Sequence, residues 1–260
     1  MIDGSGRWQV ILLPGGVLPA ELAYKSLLTE LAGHADARIK DLELYAGEHP
    51  PADYSLDTEV AGIARLADEA GFDQFHLVGY SGGGASSLAF TSAYPDRVLS
   101  LALMEPAWAG NEGLGPEELK LQEALRSLRH GPPQEFMTGF ARYHLKLGVE
   151  PAPPPTGPSP PWMARRPAGL AVLMSAFDQA SLDLERLRRF NRPVYFALGG
   201  LSNPDYFARM AERLAKVFPD FTLETFPYRH HFDPPHRTEP GKLAASLQRL
   251  WRKAEPHPAP

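Results

Sequence analysis

Residues 75–90 constrain the chain more than any other stretch. Phe75-His76-Leu77-Val78 is a short apolar strand candidate, Gly79-Tyr80-Ser81-Gly82-Gly83 follows without a break, and Gly84-Ala85-Ser86-Ser87-Leu88-Ala89-Phe90 reads as the start of a helix. A G-x-S-x-G sequence between a strand and a helix is the pattern of a sharp turn that lifts a serine hydroxyl above the sheet edge. The flanking glycines let the backbone turn without a Cβ clash. The N–H of Gly82 then points into the same space, at a helix N-terminus. The plainer reading is a glycine-rich turn with an idle serine. Two other glycine motifs do not fit: a dinucleotide fingerprint needs glycine where Ser87 stands, and no G-x-x-x-x-G-K-[ST] is present.

The surrounding pattern extends this unit. Trp8–Leu13 is a buried strand candidate that runs straight into Pro14-Gly15-Gly16-Val17. A helix is expected over Glu21–Leu31, with Leu22, Leu27, Leu28 and Leu31 near helical spacing and Gly33 ending it. A second strand is expected over Ala37–Tyr45, and Ser55 caps a helix running to Ala70. Val98–Met104 is an all-apolar strand that ends on Glu105-Pro106. Strands alternating with helices through short links indicate a parallel sheet covered on both faces. Ligands bind such sheets beyond the carboxyl ends of the strands, and Pro14-Gly15-Gly16, Ser81 and Glu105 all stand at such ends.

The alternation stops over 107–190. Helices are expected there over Pro116–Arg129, Gln134–Leu147, Trp162–Phe177 and Leu182–Phe190, around a proline-rich stretch at 151–161. It resumes with a strand at Pro193–Leu198, a helix opened by Asn203-Pro204 and running to Phe218, a strand at Phe221–Phe226, a histidine- and proline-rich loop at Tyr228–Thr238, a closing helix at Glu239–Trp251 and a frayed tail over 255–260. The expected fold class is α/β, doubly wound, with a mainly parallel sheet of about six strands. Residues 1–106 and 191–260 form the core of this reading, and 107–190 a helical lid insertion, some of whose aromatic side chains line an apolar pocket. No antiparallel strand pair is expected ahead of Trp8, because about seven residues precede it and a strand takes roughly five to six.

In this order the motifs resemble the α/β-hydrolase fold. The resemblance runs from Trp8 to Trp251 and rests on the elbow at 79–83, Leu13-Pro14-Gly15-Gly16 after the first strand, helices following Glu105, and a histidine loop after the last strand. In that family the histidine sits before an apolar residue with an acid-proline pair downstream. Here His230-His231-Phe232 precedes Glu239-Pro240, which points to His231. The resemblance implies Ser81 as nucleophile, His231 as base, and an oxyanion hole from the N–H groups of Gly82 and Gly16, or Val17 in place of Gly16. A serine hydroxyl needs an imidazole to take its proton, a carboxylate to fix the imidazole, and N–H donors for the developing oxyanion.

The acid departs from the family's usual place. The turn after the Pro193 strand, where an aspartate is common, reads Gly200-Leu201-Ser202-Asn203-Pro204. Asn203 carries no charge and is a sound helix cap. Asp205 suits a helix first turn. Glu105 ends an apolar strand at the site edge, where a carboxylate needs a reason, and the strand after the elbow strand is expected beside it. Glu105 is therefore the expected acid. Dehalogenase chemistry with an aspartate nucleophile does not fit Ser81.

Composition removes other classes. The net charge of −5 gives no basic footprint for nucleic acid, and the absence of cysteine excludes disulfides and thiolate chemistry. His230, His231 and His236 with Asp233 lack the helical H-E-x-x-H or acidic triad of a metal site, and Asp233 is expected to cap the Pro234-Pro235 turn. No cofactor is expected. Trp8–Leu13 is too short for a membrane span, and a cytoplasmic protein acting on a small-molecule substrate is expected. The expected function is a serine hydrolase cleaving a carboxylic ester or thioester of a small to medium apolar acid through an acyl-enzyme. The alternatives on the same fold are acyl transfer or lyase chemistry, and a ligand-binding receptor.

Overall fold

Both faces of the central strands are apolar, so the sheet must be covered on both sides. The computed structural model describes residues 4, 6–129, 131, 133–151, 153 and 158–255. The elements alternate as β1 (Trp8–Leu13), α1 (Ala20–Leu31), β2 (Ala35–Ile39), α2 (Leu56–Glu69), β3 (Phe75–Tyr80), α3 (Gly82–Ala93) and β4 (Val98–Met104). The helices α4 (Pro116–Leu128), α5 (Pro133–His144), α6 (Arg166–Gln179) and α7 (Leu184–Arg188) follow before β5 (Val194–Gly199). The chain closes with α8 (Arg209–Ala215), β6 (Phe221–Phe226), α9 (Pro235–Thr238) and α10 (Pro240–Ala254). Six strands pair in the order β2-β1-β3-β4-β5-β6, every neighbour parallel. Among the described residues no antiparallel strand pair leads the sheet.

The period-two alternation of each strand divides the core. Val10, Leu12, Val78, Ala102 and Met104 meet Tyr24, Leu27, Leu247 and Trp251 of α1 and α10 on one face. Ile11, Leu13, Leu77, Leu101 and Leu103 meet Ile63, Leu88, Phe207 and Met210 on the other. The β3–α3 unit lies in the middle of this sheet, with α3 buried along almost its whole length. Ser81 thus stands on a turn between a central strand and a buried helix.

Several boundaries differ from the pattern in the sequence: a short helix, α9, closes the expected loop at Tyr228–Thr238, and the stretch Leu182–Phe190 is helical only over Leu184–Arg188. The second strand ends at Ile39, and Glu43–Tyr45 form a 3-10 turn instead. Polar demands pull this stretch off the sheet: Asp41 Oδ1 accepts the N–H of Ala20 at the start of α1 at 2.6 Å, and the Leu44 N–H donates to the buried Glu59 carboxylate at 3.2 Å. The helix after β5 begins as a π turn over Pro204–Ala208 and ends at Ala215, short of Phe218. The helix after the elbow starts at Gly82, two residues before the expected Gly84. Parts of the proline-rich stretch at 151–161 lie outside the described residues, as does the tail at 255–260 beyond Glu255.

Candidate active site

Two residues without the freedom of glycine hold positive φ angles among the described residues: Ser81 at 51° and Glu105 at 44°. Each such conformation costs on the order of 1–3 kcal/mol and persists only where its surroundings enforce it. Around Ser81 the enforcement is visible. A Cβ on Gly79 would come within 2.5 Å of the Gly83 carbonyl oxygen, and one on Gly83 within 2.4 Å of the Leu13 carbonyl oxygen. The turn is tied to its neighbours by Gly83 N–H to Pro14 O at 2.9 Å, Ser81 N–H to Met104 O at 3.1 Å, and Ala107 N–H to Ser81 O at 2.8 Å. The last two bonds bracket Glu105, so one set of contacts shapes both turns.

The loop after β6 brings His231 to them. Its Nε2 is 3.0 Å from Ser81 Oγ and its Nδ1 3.1 Å from Glu105 Oε2. With Nδ1–H donating to the carboxylate, Nε2 is left to accept from the serine hydroxyl. The other carboxylate oxygen, Glu105 Oε1, accepts the Gly199 N–H at 2.7 Å. The imidazole is stacked on Phe207 at 4.7 Å between ring centroids, and the Tyr80 hydroxyl donates to the His231 carbonyl oxygen. Burial holds His231 neutral, pushing its pKa down to about 3, with His230 adding to the shift. Burial pushes Glu105 up to about 7, opposed by the nearby Ser202 hydroxyl and the Gly199 N–H. The Ser202 hydroxyl makes no well-aligned hydrogen bond of its own.

The remaining candidates fall elsewhere. His230 accepts from the Phe232 N–H at 3.2 Å, and Asp205 is exposed and accepts from Arg209 Nε at 3.2 Å. Asn203 accepts from the Asp205 N–H at 3.0 Å and donates to Tyr143 O at 2.8 Å. Asp233 does not cap the proline turn with its carboxylate. It pairs with Arg229 at 2.7 Å, drawn there by a guanidinium that also binds Glu239. His236 is buried between the rings of Tyr24 and Tyr80. Among the described residues no three His, Cys, Asp or Glu side chains form a group able to hold a metal ion.

The turn after β1 lies against the elbow. A Cβ on Gly82 would stand 3.6 Å from the Gly16 nitrogen, so the two turns approach closely. The Tyr45 hydroxyl holds this turn by donating to Gly16 O at 2.7 Å. Val17, the alternative donor, is half-buried against the core. In front of Ser81 lies a cavity walled by Trp108, Leu125, Leu170, Leu173, Met174 and Phe177. Tyr80, His144, Ser202 and Phe207 also belong to this neighbourhood, and the sequence reading passed over their part in it. For Tyr80 the one available signal was its place inside the elbow. For the other three only long-range packing brings them near.

A sequence model described as "Alpha/beta hydrolase family" matches residues 10–246. The chain belongs to the alpha/beta hydrolase family. A curated relative, 2-hydroxy-6-oxo-2,4-heptadienoate hydrolase of Pseudomonas putida, is 34% identical over 106 residues, which are 40% of this chain and 35% of that protein. The match thus spans about a third of that relative's length. Among solved structures, a bacterial membrane phospholipase A is similar with a TM-score of 0.67 at 18% identity, covering 95% of this chain and 79% of that one. A thermophilic esterase from Thermogutta terrifontis gives 0.66 at 17% identity, covering 95% and 90%. At such identities these structures bear on the fold alone. No helix among the described residues is long and apolar enough to cross a membrane.

Proposed function

We propose that this hydrolase cleaves a carboxylic ester or thioester of a small to medium apolar acid through an acyl-enzyme. The observation that carries the reading is the unbroken line from Ser81 Oγ through His231 to Glu105, at 3.0 and 3.1 Å, at the floor of a largely apolar cavity. The Ser81 oxygen attacks the carbonyl carbon while His231 Nε2 takes its proton. The carbonyl oxygen gains negative charge and is met by the N–H groups of Gly82 and Gly16, the first of them at a helix N-terminus. The tetrahedral intermediate collapses, the leaving oxygen or sulfur takes the proton from His231, and water repeats the sequence to release the acid. Glu105 keeps Nδ1 protonated and offsets the imidazolium charge that arises in each half. Helices α4 to α6, which wall the cavity, act in this reading as the lid of residues 107–190.

The Pseudomonas putida relative favours a second reading, hydrolysis of a 2-hydroxy-6-oxo dienoic acid. The deciding experiment is a series of 4-nitrophenyl esters of graded acyl length beside such a dienoate. A burst followed by steady turnover of the esters, abolished in Ser81→Ala, is expected. Turnover of the dienoate alone would replace the ester reading. Stoichiometric labelling of Ser81 without turnover would indicate a receptor.

A further inference from the structure

The steps assigned above leave a buried imidazole of the cavity unused. His144, the last residue of α5, lines the same cavity as Ser81 and is almost wholly buried. Its ring centroid is 4.9 Å from that of His231. Its neighbours are aromatic: Phe140 at 4.2 Å, Tyr206 and Phe207 at 5.7 Å, and Phe232 at 5.9 Å. An imidazole in such a box loses its hydration and needs compensation. Half of that is present, since Nδ1 lies 2.7 Å from the Phe140 carbonyl oxygen. A carbonyl only accepts, so Nδ1 carries the proton and Nε2 is an acceptor. Burial keeps the ring neutral, with His231 adding to the shift.

Other polar side chains of the cavity are already engaged, save Gln122, whose side chain makes no hydrogen bond to His144 or to any other described residue. The Tyr206 hydroxyl donates to Ala107 O, Trp108 Nε1 donates to Asn111 Oδ1 at 3.0 Å, and Asn111 Nδ2 donates to Phe177 O at 2.8 Å. Arg126 and Asp178, on the exposed side, pair with each other at 2.9 Å. His144 Nε2 therefore has no donor to serve among these groups and stands ready for one on a substrate. Which part of the substrate this is follows from His231. That residue must protonate the leaving oxygen, so the leaving group lies against its ring, and His144 lies against the same ring.

We propose that His144 Nε2 accepts a hydrogen bond from a hydroxyl on the leaving alcohol, next to the ester oxygen, so that the enzyme favours monoesters of vicinal diols over simple alkyl esters. The proposal rests on the ester reading and makes it more specific. His144 is in this account a specificity-determining residue and takes no proton in the reaction.

The test compares 2-hydroxyethyl butyrate with propyl butyrate, which have the same acyl group and nearly the same shape. Both form one acyl-enzyme, so the ratio of their kcat/KM values reads the leaving-group contact alone. Leaving a buried acceptor unpaired costs enough for the wild type to favour the glycol ester about ten- to a hundredfold, after correction for their alkaline hydrolysis rates. In His144→Phe, checked for folding by circular dichroism, the ratio falls to near one whatever the absolute rates. A structural role alone for His144 would leave the ratio unmoved. A wild-type ratio at or below one, which needs no variant, overturns the proposal, as does a ratio retained in His144→Phe. Turnover of 4-nitrophenyl butyrate separates the two levels. If the wild type fails to turn it over, or Ser81→Ala still does, the ester reading itself has failed. If it is turned over through Ser81 but the ratio is absent, only the role of His144 is lost.

Discussion

The turns after β4 and β5 sit side by side at one sheet edge, and both offer a place for a carboxylate. The β4 turn is strained, with Glu105 at a φ of 44° and its side chain buried between His231 and Gly199. The β5 turn is relaxed: Asn203, at a φ of −60°, uses its side chain to cap the following helical turn and to hold Tyr143 O. Asp205 beside it faces solvent. The second turn nevertheless serves the first, since Gly199 donates its N–H to Glu105 and Ser202 places a buried hydroxyl near it. Strain and burial, more than position along the chain, mark which turn holds the buried carboxylate.

The largest effect that sharpens this comparison is on the partner both turns compete for. His231→Ala should lower kcat for 4-nitrophenyl butyrate by about 10⁴ or more, the scale of removing a member of such a unit. His230→Ala, whose ring does not reach Ser81 or Glu105, should lose far less. A dead His230 variant with an active His231 variant would break the assignment of the loop.

The next effect is on pH dependence. The sequence alone suggests a decline between roughly pH 6 and 7 as the histidine base takes a proton. Burial acts on both partners of the hydrogen-bonded pair, pushing His231 down and Glu105 up, so the limb belongs to the pair and depends on Glu105 as well as on the imidazole. The folded enzyme needs Glu105 ionised, so kcat/KM should fall as pH drops through about 7. The residual activity of Glu105→Gln should lack that limb. The same limb persisting in the variant would assign it to another group.

A smaller effect comes from the supporting turn. Ser202→Ala removes a hydroxyl that holds the Glu105 pKa down. The limb should move to higher pH, with kcat at pH 7 falling several-fold and KM little changed. An unmoved limb would mean that the β5 turn does not tune the carboxylate.

The smallest effect is on stability and lies behind the site. Neither ring nitrogen of His236 has a hydrogen-bond partner among the described residues, and burial pushes its pKa down to about 3, with Arg237 and His231 adding to the shift. The unfolded chain, with a histidine pKa of about 6.5, binds the proton that the fold refuses. Stability at this position is therefore lost as pH falls from about 6.5 toward 3. His236→Phe should stabilise the fold by about 1 kcal/mol in urea melts at pH 8, the scale of a buried unpaired polar group, and by more at pH 5. A variant less stable at both pH values would contradict this.

The strand and helix order, the parallel sheet and the elbow were legible because each rests on local pattern: apolar runs in β1, β3 and β4, and glycines flanking Ser81. Ser81 and Glu105 were legible as candidates because strand ends are fixed by the same pattern, and His231 because its loop resembles the histidine loop of the family. What was not legible depends on contacts across the chain. Asp41 leaves the sheet to cap α1, Asp233 follows Arg229, and Phe207 stacks on His231 from a π turn that no periodicity signals. His144 reads locally as one more residue of an amphipathic helix, and only the fold sets it beside His231.

The acid proposed for this site stands after β4. The most direct measurement is kcat/KM for 4-nitrophenyl butyrate in Glu105→Gln and Asp205→Asn, both purified as folded protein. Glu105→Gln should lose about 10⁴, and Asp205→Asn, at an exposed position where substitutions change little, should stay within about threefold of wild type. Near-normal activity in Glu105→Gln, or an inactive Asp205→Asn, would contradict that placement of the acid.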